Sequence, residues 1–135
     1  MPLLKAAGGG SIVNMSSVAG RLGFPLRTPY AAAKWGLVGF TKSLAIELGP
    51  DGIRENAIQP GVVEGPRIEA VIEAKAQTLG ITRDEQRARV LANVAMRSTV
   101  TAQEIADTAL FLVSDAGRHI TGQAISVCGG VETLA

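Results

Sequence analysis

"SIVNMSSVAGRLGFPLRTPYAAAKWGLVGFTKSLAIELGPDGIRENAIQ", residues 11–59, carries the pattern that decides the fold. It opens on a short apolar run, SIVNMS (11–16), directly after Gly8-Gly9-Gly10. A run of that length and make-up reads as a strand. It closes on a second such run, IRENAIQ (53–59), which Pro60-Gly61 breaks. Between them Gly20, Gly23 and Pro25 mark a loop. Thr28 is expected as an N-cap and Pro29 as the first helical residue. The helix then extends to about Leu48, where Gly49-Pro50 stops it. Ala33, Leu37, Phe40, Leu44 and Leu48 recur at helical spacing and are expected to face a core. A long helix between two apolar strands is the pattern of a right-handed βαβ crossover in a parallel sheet.

The rest of the chain continues this order. A helix is expected over about 66–79. Thr82 with Glu85 fits a capping box opening a helix to about Val94. Thr101 with Glu104 fits another, opening a helix to about Val113 that would bury Ile105, Ala109, Leu112 and Val113. QAISV (123–127) reads as a last strand before Gly129-Gly130. Residues 66–100 form the most polar part and read equally as a mobile cover over a cleft or as a solvated helical pair.

Composition narrows the function classes. The chain has 135 residues, 47% of them hydrophobic and 19% charged, which suits one globular domain with a real core. A net charge of +1 without a basic cluster gives no electrostatic reason to expect nucleic acid. Cys128 is the single cysteine, so neither an internal disulfide nor a cysteine-based zinc cluster can form. His119, the single histidine, lies in a polar turn and reads as a surface residue, so no metal site is expected. MPLLKAAGGG is too short and glycine-rich for a signal peptide. The apolar stretch 29–48 is interrupted by Lys34, Lys42 and Glu47 and is not a membrane span. A cytoplasmic location is expected.

The chemistry-bearing residues lie inside the opening stretch. Tyr30 and Lys34 stand four apart on the expected helix and so share one face. A free phenol titrates near 10, too high for acid–base work at neutral pH, and a neighbouring ammonium favours the phenolate. Such a pair can pass a proton to or from an alkoxide. Ser17 ends a strand and could hold the same oxygen by a hydrogen bond. The carboxyl ends of parallel strands are where α/β sheets bind ligands, and Pro60-Gly61 follows the next strand at that edge. Taken alone, a Tyr–Lys pair at this spacing is common by chance and more often serves only solubility or packing; Ser17 and Pro60-Gly61 at the same sheet edge are what favour the catalytic reading.

GSIVNMSS, YAAAK, IRENAIQPGVV and ITGQAISVCGG, in this order and spacing, resemble the successive motifs of the C-terminal half of a short-chain dehydrogenase/reductase. Within that family the chain is most similar to 3-oxoacyl-carrier-protein-reductase-like members. The resemblance implies an α/β fold: the C-terminal half of a Rossmann-like doubly wound parallel sheet, three-layered α/β/α and incomplete. Residues 1–135 would form one partial domain. It implies hydride transfer between NAD or NADP and a small-molecule carbonyl/alcohol substrate. Tyr30 would be the general acid/base. Lys34 would support it electrostatically and hold the nicotinamide ribose. Ser17 would orient the substrate oxygen. Tyr30, Lys34, Pro60, Gly61 and Val63 would bind cofactor. Phe24, Leu26, Val63 and the 66–97 region would line the substrate pocket.

The chain departs from the family pattern in several places. The Gly-rich strand-to-helix turn that receives a pyrophosphate is missing, since Gly8-Gly9-Gly10 leads into a strand. Glu55 stands at a position usually apolar, and needs a partner or exposure. Gly65 replaces a common Thr, and Cys128 a common Asp. An open sheet edge invites a homo-oligomer or pairing with another chain. Two functions follow: an oxidoreductase lineage whose isolated chain has little or no activity, or a non-catalytic assembly module that pairs with a full-length relative. A Ser17 hydrolase fails for want of a placed histidine and acid.

Overall fold

The computed structural model describes residues 1–134. Helix α1 (Pro2–Ala6) leads through a glycine turn into β1 (Gly10–Met15). The long α2 (Thr28–Leu48) connects β1 to β2 (Ile53–Pro60). Helices α3 (Pro66–Leu79), α4 (Arg83–Ala92) and α5 (Ala102–Val113) precede β3 (Ala124–Val127). The strands are parallel in the order β1-β2-β3, with Ile12 opposite Glu55 and Ile58 opposite Ile125. Central β2 is buried along most of its length, as a parallel strand covered on both faces must be.

Neighbouring residues of β2 point to opposite faces. Glu55 meets Asn14 of β1, which also bonds Thr41 of α2. Arg54 instead donates to Leu112, Val113 and Gly117 carbonyls at the end of α5. Helices α2 and α5 therefore lie on opposite faces, giving three layers. The strand order advances in one direction while the helices change sides, so the two crossovers have opposite hands.

Local chemistry sets the helix ends. Both capping boxes form: Thr82 and Thr101 accept from the Glu85 and Glu104 N–H groups, and those carboxylates accept from the threonine N–H groups. Helix α4 stops at Ala92, two residues short of the expectation. Glu69 binds Arg83 and Arg87 and ties α3 to α4. Gly9 lies so close to Gly52 that a Cβ there would sit 2.7 Å from the Gly52 oxygen.

Four expectations need correction. Helix α2 begins at Thr28, with Arg27 as N-cap and no side-chain cap. The Ala31 N–H already bonds the Arg27 carbonyl at 2.9 Å, so the first turn closes one residue early. The buried residues of α2 are Thr41, Ala45 and Leu48, while Ala33 and Phe40 are exposed. Thr41, Ala45 and Leu48 lie at i, i+4 and i+7 and form the stripe that meets the sheet, and Phe40 falls beside it. Val113 of α5 is exposed, since Leu112 beside it fills the buried position of the last turn. Leu26 is fully exposed, with φ +61°, and does not reach the cleft described below.

Candidate active site

A cleft of about 590 Å³ opens at the carboxyl ends of β1 and β2. Ser17, Tyr30, Lys34, Pro60, Gly61 and Val63 all line it, so the structure brings together every residue singled out for chemistry. Phe24, Ile68 and Val71 add apolar wall, as does Leu134 from the C-terminal segment.

Adjacent serines do different work. Ser16 is buried, and its hydroxyl donates to the Lys34 carbonyl at 3.0 Å, stapling α2 to the end of β1. Ser17 faces the cleft, and its Oγ accepts from the Ala19 N–H at 3.1 Å, capping the short turn Val18–Gly20. Its hydroxyl proton is left free to donate. Gly20 makes the staple possible: a Cβ there would lie 2.6 Å from Ser16 Oγ and 2.8 Å from the Lys34 carbonyl oxygen.

Lys34 Nζ donates to the Met15 carbonyl at 2.9 Å and stands 5.6 Å from the centre of the Tyr30 ring. The strand end thus holds the ammonium beside the phenol. Tyr30 is 39% exposed and packs edge-on against Phe24, with ring centres 6.3 Å apart. Phe24 also carries the Arg27 guanidinium over its face, 5.6 Å from the centre.

The floor is equally constrained. Gly61 follows β2 and bonds the Val127 carbonyl through its N–H at 2.9 Å. A Cβ on Gly61 would lie 2.7 Å from the Cys128 Cβ, so only glycine passes there. Paired bonds between Val62 and Val100, and between Glu64 and Val100, fasten the loop that follows. Burial would raise the Cys128 thiol, but N–H groups of Val131 and Gly130 and the Arg21 guanidinium outweigh it and favour the thiolate. Arg21 also donates to the Val131 carbonyl at 2.7 Å, seating the C-terminal segment that lines the cleft.

Glu55 lies beneath the site, wholly buried between β2 and α2. Asn14 donates to its Oε1 at 2.6 Å, while its Oε2 has no partner. Burial raises this carboxyl above its usual range, the Asn14 bond opposes that, and Glu47 adds to the rise.

A second depression, of about 560 Å³, lies at the amino ends of the strands. Its Arg54 is already spent on three carbonyls, and none of Ser17, Tyr30 or Lys34 reaches it. His119 lines it and is exposed. Among the described residues no His, Cys, Asp or Glu group is arranged to hold a metal, and no helix is long and apolar enough to cross a membrane.

Known proteins match this arrangement. A family profile described as Enoyl-(Acyl carrier protein) reductase matches residues 1–132. The trans-4-hydroxycyclohexanecarboxylate dehydrogenase of Sinomonas cyclohexanicum is 41% identical over 130 residues, covering 96% of this chain and 44% of that protein. A short chain dehydrogenase family protein from Francisella tularensis superposes with a TM-score of 0.85 at 31% identity, over 90% of this chain and 50% of its own. A variant of the actinorhodin polyketide ketoreductase, solved with NADPH, gives 0.86 at 37% identity, over 93% and 48%. The chain spans about half the length of the curated relatives it matches. Its three parallel strands and two helical layers are part of a Rossmann-like doubly wound sheet, and the chain belongs to the short-chain dehydrogenase/reductase family.

Proposed function

We propose that the cleft is the catalytic end of an NAD(P)-dependent oxidoreductase site acting on a carbonyl/alcohol pair. The observation that carries this reading is the convergence of Ser17, Tyr30 and Lys34 with the Pro60–Val63 loop on one cleft. A half-exposed phenol, an ammonium anchored beside it and a free hydroxyl form a donor set suited to a substrate oxygen. The names of the two relatives, a trans-4-hydroxycyclohexanecarboxylate dehydrogenase and a ketoreductase, describe the same alcohol/ketone chemistry.

The residues fit a nicotinamide. Pro60, Gly61 and Val63 would lie against the ring and carboxamide, and Lys34 would hold the ribose. When bound, the nicotinamide supplies or accepts the hydride. Ser17 donates its hydroxyl proton to the substrate oxygen and orients it. Tyr30 gives a proton to that oxygen in reduction and takes one from it in oxidation. Lys34 offsets the phenolate charge left behind.

The adenosine and pyrophosphate end finds no glycine-rich strand-to-helix turn among the described residues. Binding by this chain then rests on the nicotinamide end, and turnover by the chain alone is little or none. Whether NAD or NADP serves is set elsewhere. Nicotinamide mononucleotide titrated into isotope-labelled protein tests the site. Amide shifts gathered at Ser17, Tyr30, Gly61 and Val63 are expected. Shifts absent, or scattered, in a folded chain would overturn the assignment.

A second reading follows from the sheet itself. Among the described residues β1 pairs with β2 alone, and its other edge presents unpaired backbone groups. This edge would serve self-association, or assembly with a full-length relative as a non-catalytic module. Light scattering on the purified chain separates the two: a monomer that binds the mononucleotide supports the catalytic reading alone.

A further inference from the structure

The cleft wall is unevenly charged. Among the described residues Arg27, Lys34 and Arg67 line it against one carboxylate, that of Glu64. Lys34 is anchored on the Met15 carbonyl and serves Tyr30 and the ribose in the catalytic reading, which leaves the two arginines. Both are exposed, and among the described residues no ion pair engages either of them or Glu64. Around them the wall is apolar, formed by Val18, Phe24, Val62, Val63, Ile68 and Val71. This is a place for an apolar body that ends in a negative charge.

Each arginine also sits at an electrostatically poor position for its own fold. Arg27 caps α2, whose first turn holds no acid. Arg67 lies in the first turn of α3, where the one acid, Glu69, is taken by Arg83 and Arg87. Cations are disfavoured at helix starts, and an incoming anion would relieve both. Arg27 stands over the face of Phe24, the ring that packs edge-on against Tyr30, so one cation lies on the phenol's side of the cleft.

We propose that the substrate carries a carboxylate besides its carbonyl or hydroxyl, and that Arg27 and Arg67 select it. This rests on the catalytic reading of the cleft. The phosphates of a nicotinamide nucleotide are the other source of negative charge, and Arg27's seat over Phe24, the ring packed on Tyr30, assigns the anion to the substrate.

The test compares cyclohexanecarboxylate with cyclohexanecarboxamide, titrated into the full chain at low salt and followed by amide chemical shifts. Charge-assisted bonds to two exposed arginines should favour the acid by about fivefold or more. Raising the salt should shrink that preference. In Arg27→Ala/Arg67→Ala, with the fold checked by circular dichroism, acid and amide should bind alike. NADH and NADPH binding is measured on the same samples. Loss of acid preference with nucleotide binding unchanged supports the proposal. Equal affinities in the wild type, no saturable binding of either probe, or a nucleotide affinity that falls as far as the acid's would overturn it. Absent nucleotide binding in the wild type would instead count against the catalytic reading, a separate readout.

Discussion

Gly20 is the residue on which the site's geometry turns, and Gly20→Ala tests that reasoning. The added Cβ would stand 2.6 Å from Ser16 Oγ and 2.8 Å from the Lys34 carbonyl oxygen, both parts of the staple between β1 and α2. Overpacking of this kind costs about 1–3 kcal/mol. Parting the Ser16–Lys34 bond leaves buried polar groups unmatched, at about 1–3 kcal/mol more. The smaller entropy of the unfolded alanine chain returns about 0.4–1 kcal/mol. The middle of these ranges gives a net loss of about 3 kcal/mol. At about 3–5 °C per kcal/mol for a chain of this size, Tm should fall by about 9–15 °C. Gly39→Ala is the matched control, since nothing lies within 4 Å of its Cβ position in α2. That change should stabilise by about 0.5–1 kcal/mol. Scanning calorimetry on both variants decides the point. A Gly20→Ala protein melting within a degree or two of the wild type would refute the staple.

Glu55→Gln keeps an acceptor for Asn14 and removes a carboxyl whose folded-state pKa is raised by burial. The wild-type contribution is full below the unfolded value of about 4.3 and is lost as pH rises through the folded one. The variant should therefore gain on the wild type between pH 4 and pH 8 in urea melts, and parallel curves would contradict this. Cys128 has the opposite sign: its lowered pKa gives stability that is present above the unfolded value of about 8.5 and is lost as pH falls through the folded one. The stability gap to Cys128→Ala should be wider at pH 9 than at pH 7, and a constant gap would show that the thiolate caps nothing. Thr101→Ala breaks the capping box of α5 and should cost about 1 kcal/mol in a denaturant titration; no change would mean that α5 gains nothing from its cap.

Much of this architecture was legible in local sequence. Strand runs between glycine and proline breaks placed β1, β2 and β3 to within a residue, and the Thr-x-x-Glu spacings gave both caps. The buried face of α2 was not legible in the same way. Apolar residues lie on several sides of that helix, so helical spacing picked a stripe through Ala33 and Phe40, whereas the buried face runs through Thr41, Ala45 and Leu48. The cleft joins residues from the ends of several elements. Ser17, Tyr30 and Lys34 could be read because their residue types carry a chemistry. The 66–97 region was expected at the cleft, and Arg67 of it arrives there; Arg27 lies three residues before Tyr30 but carried no recognised chemistry, and Leu134 reaches the cleft through tertiary structure alone. The Asn14–Glu55–Thr41 cluster is of the same kind, joining two strands and a helix distant in sequence.

The most direct measurement is a fluorescence titration of the purified chain with NADPH and with NADH, beside Lys34→Ala. Saturable but weak binding is expected, reduced in the variant, because the nicotinamide end alone would hold the nucleotide. A folded chain that binds neither nucleotide, or binds them equally well without Lys34, would contradict a nicotinamide site in this cleft.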